Sequence, residues 1–250
     1  MKNSFSYNEY LLILDSVKAM QRLKDFKEIN ENTLEFIIIR HDVEFSVERA
    51  YKMAKLEADI AHINTSYFFQ IRNNSYNVLS KYNIDMIQSI YQMGHKVGLH
   101  VHLNALEDLH NIKEYIIKDV KTLQYYTEIP VDRFSFHRPS SKVLSLNLRI
   151  DDLINTYSDK YFHFIDNETN ISNLRIKYFS DSMHRWKYGY PDKENLKKHK
   201  KVQILIHPYS WTEAGYDSEK NFETLIDEKT ESLIDTLEGE CKHFKRQGVS

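Results

Sequence analysis

Four times in this chain an apolar run ends abruptly on a histidine: LEFIIIRHDVE (34–44), KVGLHVH (96–102), RFSFHRPS (133–140) and VQILIHPYS (202–210). Continuous apolar runs of this kind form strands buried on both faces of a sheet. Between them lie stretches with helical spacing at 47–58, 83–95 and 111–127, and a further one runs from 223 to 245. More strands are expected at 65–71, 160–166 and 174–181, and an amphipathic N-terminal helix over 7–26. Strands that alternate with helices imply a parallel sheet, and about seven of them in one chain of this size favour a closed or nearly closed barrel. The expected fold class is therefore α/β, a single distorted (β/α) barrel. In such a barrel the carboxyl ends of all strands share one mouth. The four histidine-bearing ends, spread from position 41 to position 207, are then predicted to meet in space.

Composition removes several alternatives. The chain is 41% hydrophobic and 28% charged with 6 glycines and 4 prolines, which is globular and not low-complexity. No repeat or linker divides it, so one domain over 1–250 is expected, with the motif-bearing core at 34–211. Lys and Arg (34) nearly balance Asp and Glu (36), and the one dense run, KENLKKHKK (193–201), reads as a solvated face. No nucleic-acid partner is expected. The lone Cys241 excludes an intramolecular disulfide and a cysteine-based zinc cluster. No segment reaches the ~20 apolar residues of a membrane span. Asn8, Glu9 and Asp15 interrupt the apolar N-terminal stretch, unlike a secretion signal, so a cytoplasmic location is expected.

The strand ends carry a recognisable chemistry. Asp42 and Glu44 stand two apart, as do His100 and His102, and alternation along a strand puts each pair on one side of the sheet. Carboxylate oxygens and imidazole nitrogens together suit zinc and related divalent ions, and three protein ligands leave a position for water. A cation lowers the pKa of such a water from about 15.7 towards ~7, and a carboxylate left off the metal can serve as general base. His41, adjacent to Asp42, is expected on the opposite side as a supporting group. His95 reads as a turn residue, and the remaining histidines, His184 among them, as structural or surface residues.

These motifs resemble, in order, those of the polysaccharide deacetylases, a family that includes chitin, peptidoglycan and nodulation-factor deacetylases. The likeness spans about residues 36–211. Within it, IIIRHDVE is similar to the first motif and implies Asp42 as base and Glu44 as metal acid, in an Asp-x-acid variant. Gly94, His95, Gly98 and His100 follow the second motif, with His100 as metal ligand. The family's next histidine falls where this chain has Asn104, so His102 is taken as the third ligand, with Asn104 and His137 as alternatives. SFHRPS resembles the third motif and implies that Arg138 orients the base carboxylate, for which its fork of donors is suited, and that Pro139 shapes the groove wall. SDSMHRW resembles the fourth, with Asp181 and Trp186 near the groove. LIHPYSW resembles the fifth and implies His207 as the catalytic histidine, its pKa raised by Asp181.

Together these implications describe a metal-dependent hydrolase, with zinc as the expected cation, that removes an N-acyl group from a sugar. His137, Pro139, Trp186, Tyr209 and Trp211 are the expected substrate contacts, with Tyr188 as a further stacking wall. A cytoplasmic enzyme would take a nucleotide-linked or lipid-linked sugar used in surface polysaccharide assembly. The rival readings are hydrolysis of another amide or ester on a small molecule, and a carbohydrate-binding homologue whose site has decayed.

Overall fold

The computed structural model describes residues 4–103, 110–163 and 175–245. Asn104, one of the alternative ligands, lies outside them. Seven parallel strands join one sheet in the order β5-β4-β3-β2-β1-β7-β6: β1 (Phe36–Val43), β2 (Ser66–Phe69), β3 (Lys96–His102), β4 (Arg133–His137), β5 (Ile154–Asn155), β6 (Lys177–Ser180) and β7 (Lys201–Ile206). The sheet curls into a distorted (β/α) barrel. Its edge strands β5 and β6 are not paired; the gap is spanned by side chains instead. Gln203 of β7 donates to the carbonyls of Thr156 (3.0 Å) and Tyr161 (2.8 Å), and the rings of Tyr157, Phe162 and Tyr178 follow one another across the opening.

Alternation along β1 sorts its residues between two environments. Phe36 and Ile38 meet Phe68, Tyr161 and Ile176 inside the barrel, and Arg40 and Asp42 continue that inward row. Ile37 and Ile39 face outward onto Tyr10, Ile13, Leu14 and Val17 of helix α1 (Tyr7–Lys18). The interior is tight: a Cβ on Gly98 would lie 2.4 Å from the Phe68 ring and 2.8 Å from Arg133 Cγ. Beyond β2 and β3, a larger apolar cluster covers the sheet with α2 (Val47–Lys55), α3 (Lys81–Gln92) and α4 (Ile112–Thr127).

Four elements differ from the sequence reading. The N-terminal helix stops at Lys18 and not near 26, because residues 22–24 extend along the free lower edge of β1, with Ile37 N–H donating to Arg22 and Lys24 N–H to Ile37. The expected strand at 160–166 is absent over 160–163, where a turn at 160–161 runs into irregular chain; the barrel uses the two-residue β5 just before, and 164–166 are outside the described residues. Helix α2 passes into a wide π-turn, Leu56–Ala61, that ends on His62 in the left-handed region. The C-terminal helix runs over Ser218–Glu240, starting earlier because Asp217 caps it. Buried Arg49 ties this last helix to the mouth side, donating to the Tyr209 carbonyl, Asn221 and Glu228. Among the described residues no helix is long and apolar enough to cross a membrane.

Candidate active site

At the carboxyl end of the barrel the strand-end residues converge. Glu44 follows β1, His100 lies on β3 and His137 ends β4; one ligand atom from each lies within 4.8 Å of the others. Glu44 Oε1 is 2.8 Å from His137 Nδ1, 3.7 Å from His100 Nε2 and 3.8 Å from His207 Nε2. Burial works to raise the pKa of Glu44, but the charge of His207 and the hydrogen bond from His137 outweigh it and hold the carboxyl well below the usual range.

The hydrogen-bond chain behind His100 settles which of its nitrogens is bare. Ser135 of β4 spends its one proton on Asp42 Oδ1 (3.0 Å), so at 2.7 Å from His100 Nδ1 its oxygen can only accept. His100 therefore carries its proton on Nδ1 and presents a lone pair at Nε2. That atom is buried and has no hydrogen-bond partner. An orphaned imidazole lone pair next to an ionised carboxylate is what a divalent cation needs, and the Ser135–Asp42 relay sets the tautomer as supporting partners of metal ligands do. Glu44, His100 and His137 thus fit a zinc-like ion by donor type and by placement.

The trio differs from the one expected. His102 shares the inward face of β3 with His100, but the β3–β4 register sets it beside His137, and the two rings stack at 4.8 Å. His137, expected as a substrate contact and named as an alternative third ligand, is the imidazole that reaches Glu44. His102 flanks it half-buried, with Nδ1 unpartnered and its pKa pushed down by burial and by His137.

The cation beside Asp42 is also a different one. Arg138 is exposed on the rim, with its backbone in the left-handed region (φ 48°). Arg40 instead lies wholly inside the barrel, its Nη2 3.5 Å from Asp42 Oδ2, its guanidinium 4.2 Å from the Tyr157 ring centre and Nη1 donating to Thr156. Arg40 and Ser135 were not singled out in the sequence, although parity could have found both: each stands two residues before a site residue on its own strand.

His207 and Asp181 form a buried pair at 2.6 Å. Asp181 also accepts the His207 N–H at 3.0 Å and Trp211 Nε1–H at 2.8 Å, so its carboxylate is saturated with donors. Burial would push the imidazole down; the charges of Asp181 and Glu44 and the Asp181 hydrogen bond outweigh it and raise the pKa to about 9. The ring is then a cation at neutral pH, with Nε2 facing Glu44.

The expected aromatic walls mostly do other work. Trp211 is fully buried and holds Asp181, so it cannot stack on a substrate. Trp186 packs at the edge of the outer cluster with Tyr190 and Trp211. Tyr209 is buried between Phe45 and Phe222, its ring 6.0 Å from His207. Tyr188 is half-buried beside Tyr178, and Pro139 is half-buried on the loop after β4. His184 packs at a tilt against Phe5, ring centres 4.0 Å apart, and reaches the Tyr216 carbonyl, away from the trio.

Among solved structures the chain is similar to the Xyl-CE4 domain of a multidomain xylanase from the hindgut metagenome of Trinervitermes trinervoides, at 11% identity over 81% of this chain and 84% of that one (TM-score 0.43). It is similar to a family 4 carbohydrate esterase from Bacillus anthracis, at 13% identity over 88% and 85% (TM-score 0.41). It is also similar to the chitin deacetylase from the fungal pathogen Colletotrichum lindemuthianum, at 13% identity over 77% and 81% (TM-score 0.40). No family model and no curated protein matches the chain.

Proposed function

We propose that this protein is a metal-dependent hydrolase that removes an N-acyl group, in the first place N-acetyl, from a sugar or sugar-containing precursor. The observation that carries the reading is the meeting of a cation-binding trio, Glu44, His100 and His137, with a separate carboxylate, Asp42, and a buried imidazolium pair, His207–Asp181. A divalent cation held by the trio, zinc by donor set, would supply Lewis-acid polarisation of the acyl carbonyl and of the attacking water. Asp42, steadied by Arg40 and Ser135, takes the water's proton as its oxygen bonds to the acyl carbon. His207 then gives its Nε2 proton to the nitrogen as the C–N bond breaks, so amine and carboxylic acid leave and the protons balance. Asp181 keeps the ring charged until that step and oriented throughout.

The substrate class follows from the resemblance of the motifs, and a nucleotide-linked or lipid-linked sugar in the cytoplasm, made for surface polysaccharide, is the specific proposal. The test is protein purified without chelator, analysed for metal and offered a panel of N-acetyl and N-formyl sugars, free, nucleotide-linked and lipid-linked. One metal per chain with release of acetate or formate from a sugar is expected. Release only from non-sugar amides or esters would move the enzyme to the rival class. Fully loaded protein that releases acid from nothing in the panel would sink the hydrolase.

A further inference from the structure

Gln70 stands immediately after β2, and the strand ladder places it among the site residues. β1, β2 and β3 pair with Val43 beside Phe69 and Phe69 beside Leu99. One residue further along, the row reads Glu44, Gln70, His100. Phe68 packs inside the barrel with Ile38, and Gln70, two residues on, shares its face. The side chain is 2% exposed.

Its amide can be oriented without ambiguity. Ser75 N–H donates to Asn73 Oδ1 at 2.6 Å, so the other terminal atom of Asn73 is nitrogen. That nitrogen donates to the Glu44 carbonyl at 2.7 Å and to Gln70 at 2.6 Å, so the atom of Gln70 that meets it is Oε1. Both N–H bonds of Gln70 Nε2 are left over, and among the described residues this buried nitrogen has no partner. The loop that carries it is pinned: Gln70 N–H donates to Tyr76 Oη, which donates to the Val43 carbonyl. A buried donor without an acceptor costs stability and is retained where a ligand completes it.

We infer that Gln70 is a catalytic residue, its Nε2 donating to the oxygen of the scissile acyl group and gripping it harder as that oxygen gains negative charge. The assignment rests on the hydrolase reading. A neutral amide suits a place beside Glu44, because it offers a donor that no change of pH removes.

Two variants test it. Gln70→Met and Gln70→Leu both keep the position uncharged and delete the donor, Met at closer to the native bulk. On the substrate found with the wild type, each is expected to lower kcat by about 10²- to 10³-fold, the usual effect of one oxyanion donor, with KM, metal content and thermal midpoint close to wild type. Wild-type kcat in Gln70→Met overturns the inference and leaves the hydrolase standing. Loss of kcat that tracks loss of metal or of thermal stability in both variants overturns it as well, since a structural role explains that. A metal-loaded wild type inactive on the whole panel removes both readings together.

Discussion

Asp42 and His41 are neighbours on β1, yet they enter two clusters on opposite faces of the sheet that use the same residue types. On the outer face His41, Glu57, His95, Tyr10, Tyr67 and Thr65 are buried together, and the hydroxyls of Tyr10, Tyr67 and Thr65 all donate to the Glu57 carboxylate. His41 Nε2 is 2.9 Å from the Tyr10 hydroxyl, and its ring stacks on Tyr67 at 4.1 Å. His95, more than a turn residue, accepts the Thr65 N–H and donates to the Ala54 carbonyl. None of these side chains contributes a buried atom without a partner. At the mouth, His100, His102, Gln70 and Arg40 all do. Histidine, glutamate and burial alone do not mark a site; between these two clusters the difference is polar capacity left unspent, which is costly unless a ligand uses it.

Mutations can break this contrast. The largest effect is expected at the trio: Glu44→Ala or His100→Ala should lose the bound cation and all turnover while keeping the folded spectrum, as elemental analysis and circular dichroism would report. Unchanged metal content would place the cation elsewhere. Next, His207→Ala should keep the metal and lower kcat by about 10²- to 10⁴-fold, the worth of a proton donor. A variant with normal kcat would remove His207 from the chemistry.

The outer cluster should respond in the opposite currency. Glu57→Gln leaves metal binding alone and lowers folding stability by about 3–5 kcal/mol in urea titrations, the effect of breaking a buried ion pair. Its pH dependence has a definite sign. Burial would raise the pKa of Glu57, but the charge and hydrogen bond of His41 outweigh it and hold the folded value at about 2, against an ordinary 4.5. The contribution is therefore complete above 4.5 and lost as pH falls from there towards 2. Stability curves of the wild type should drop across that window, and those of Glu57→Gln should be flatter there; parallel curves would show that Glu57 is not the linked group. The smallest expected change is Ser135→Ala, which frees the His100 tautomer and should weaken metal affinity about 10- to 100-fold, read in a competition titration with a chelator. Equal affinity would mean that the relay through Asp42 does not orient the ligand.

Much of the architecture was legible in the chain because each strand is a long-wavelength signal. The apolar run Phe36–Ile39 that opens β1 is too short for a helix and ends on Arg40, His41 and Asp42, as a buried strand does when it reaches a polar mouth. β5 was missed because two residues carry no pattern, and its place was assigned to a nearby aromatic stretch that turns instead. At the site, motif order identified Asp42, Glu44, His100, Asp181 and His207 as residues to watch, and the structure brings them together. Arg138 and Trp211 show where motif reading fails: it reports that a guanidinium and an indole are near, not which way they point.

What the sequence determined by itself is the periodicity: most of the strands, that Asp42 and Glu44 share one face and His41 the other, and that histidines close four of those strands. Tertiary structure alone decided the partnerships, namely His137 rather than His102 against Glu44, Arg40 rather than Arg138 beside Asp42, and a buried Trp211 holding Asp181. The reason is that alternation is a local property of the backbone, whereas the stagger between strands and the rotamers at their ends are set by packing across the whole barrel.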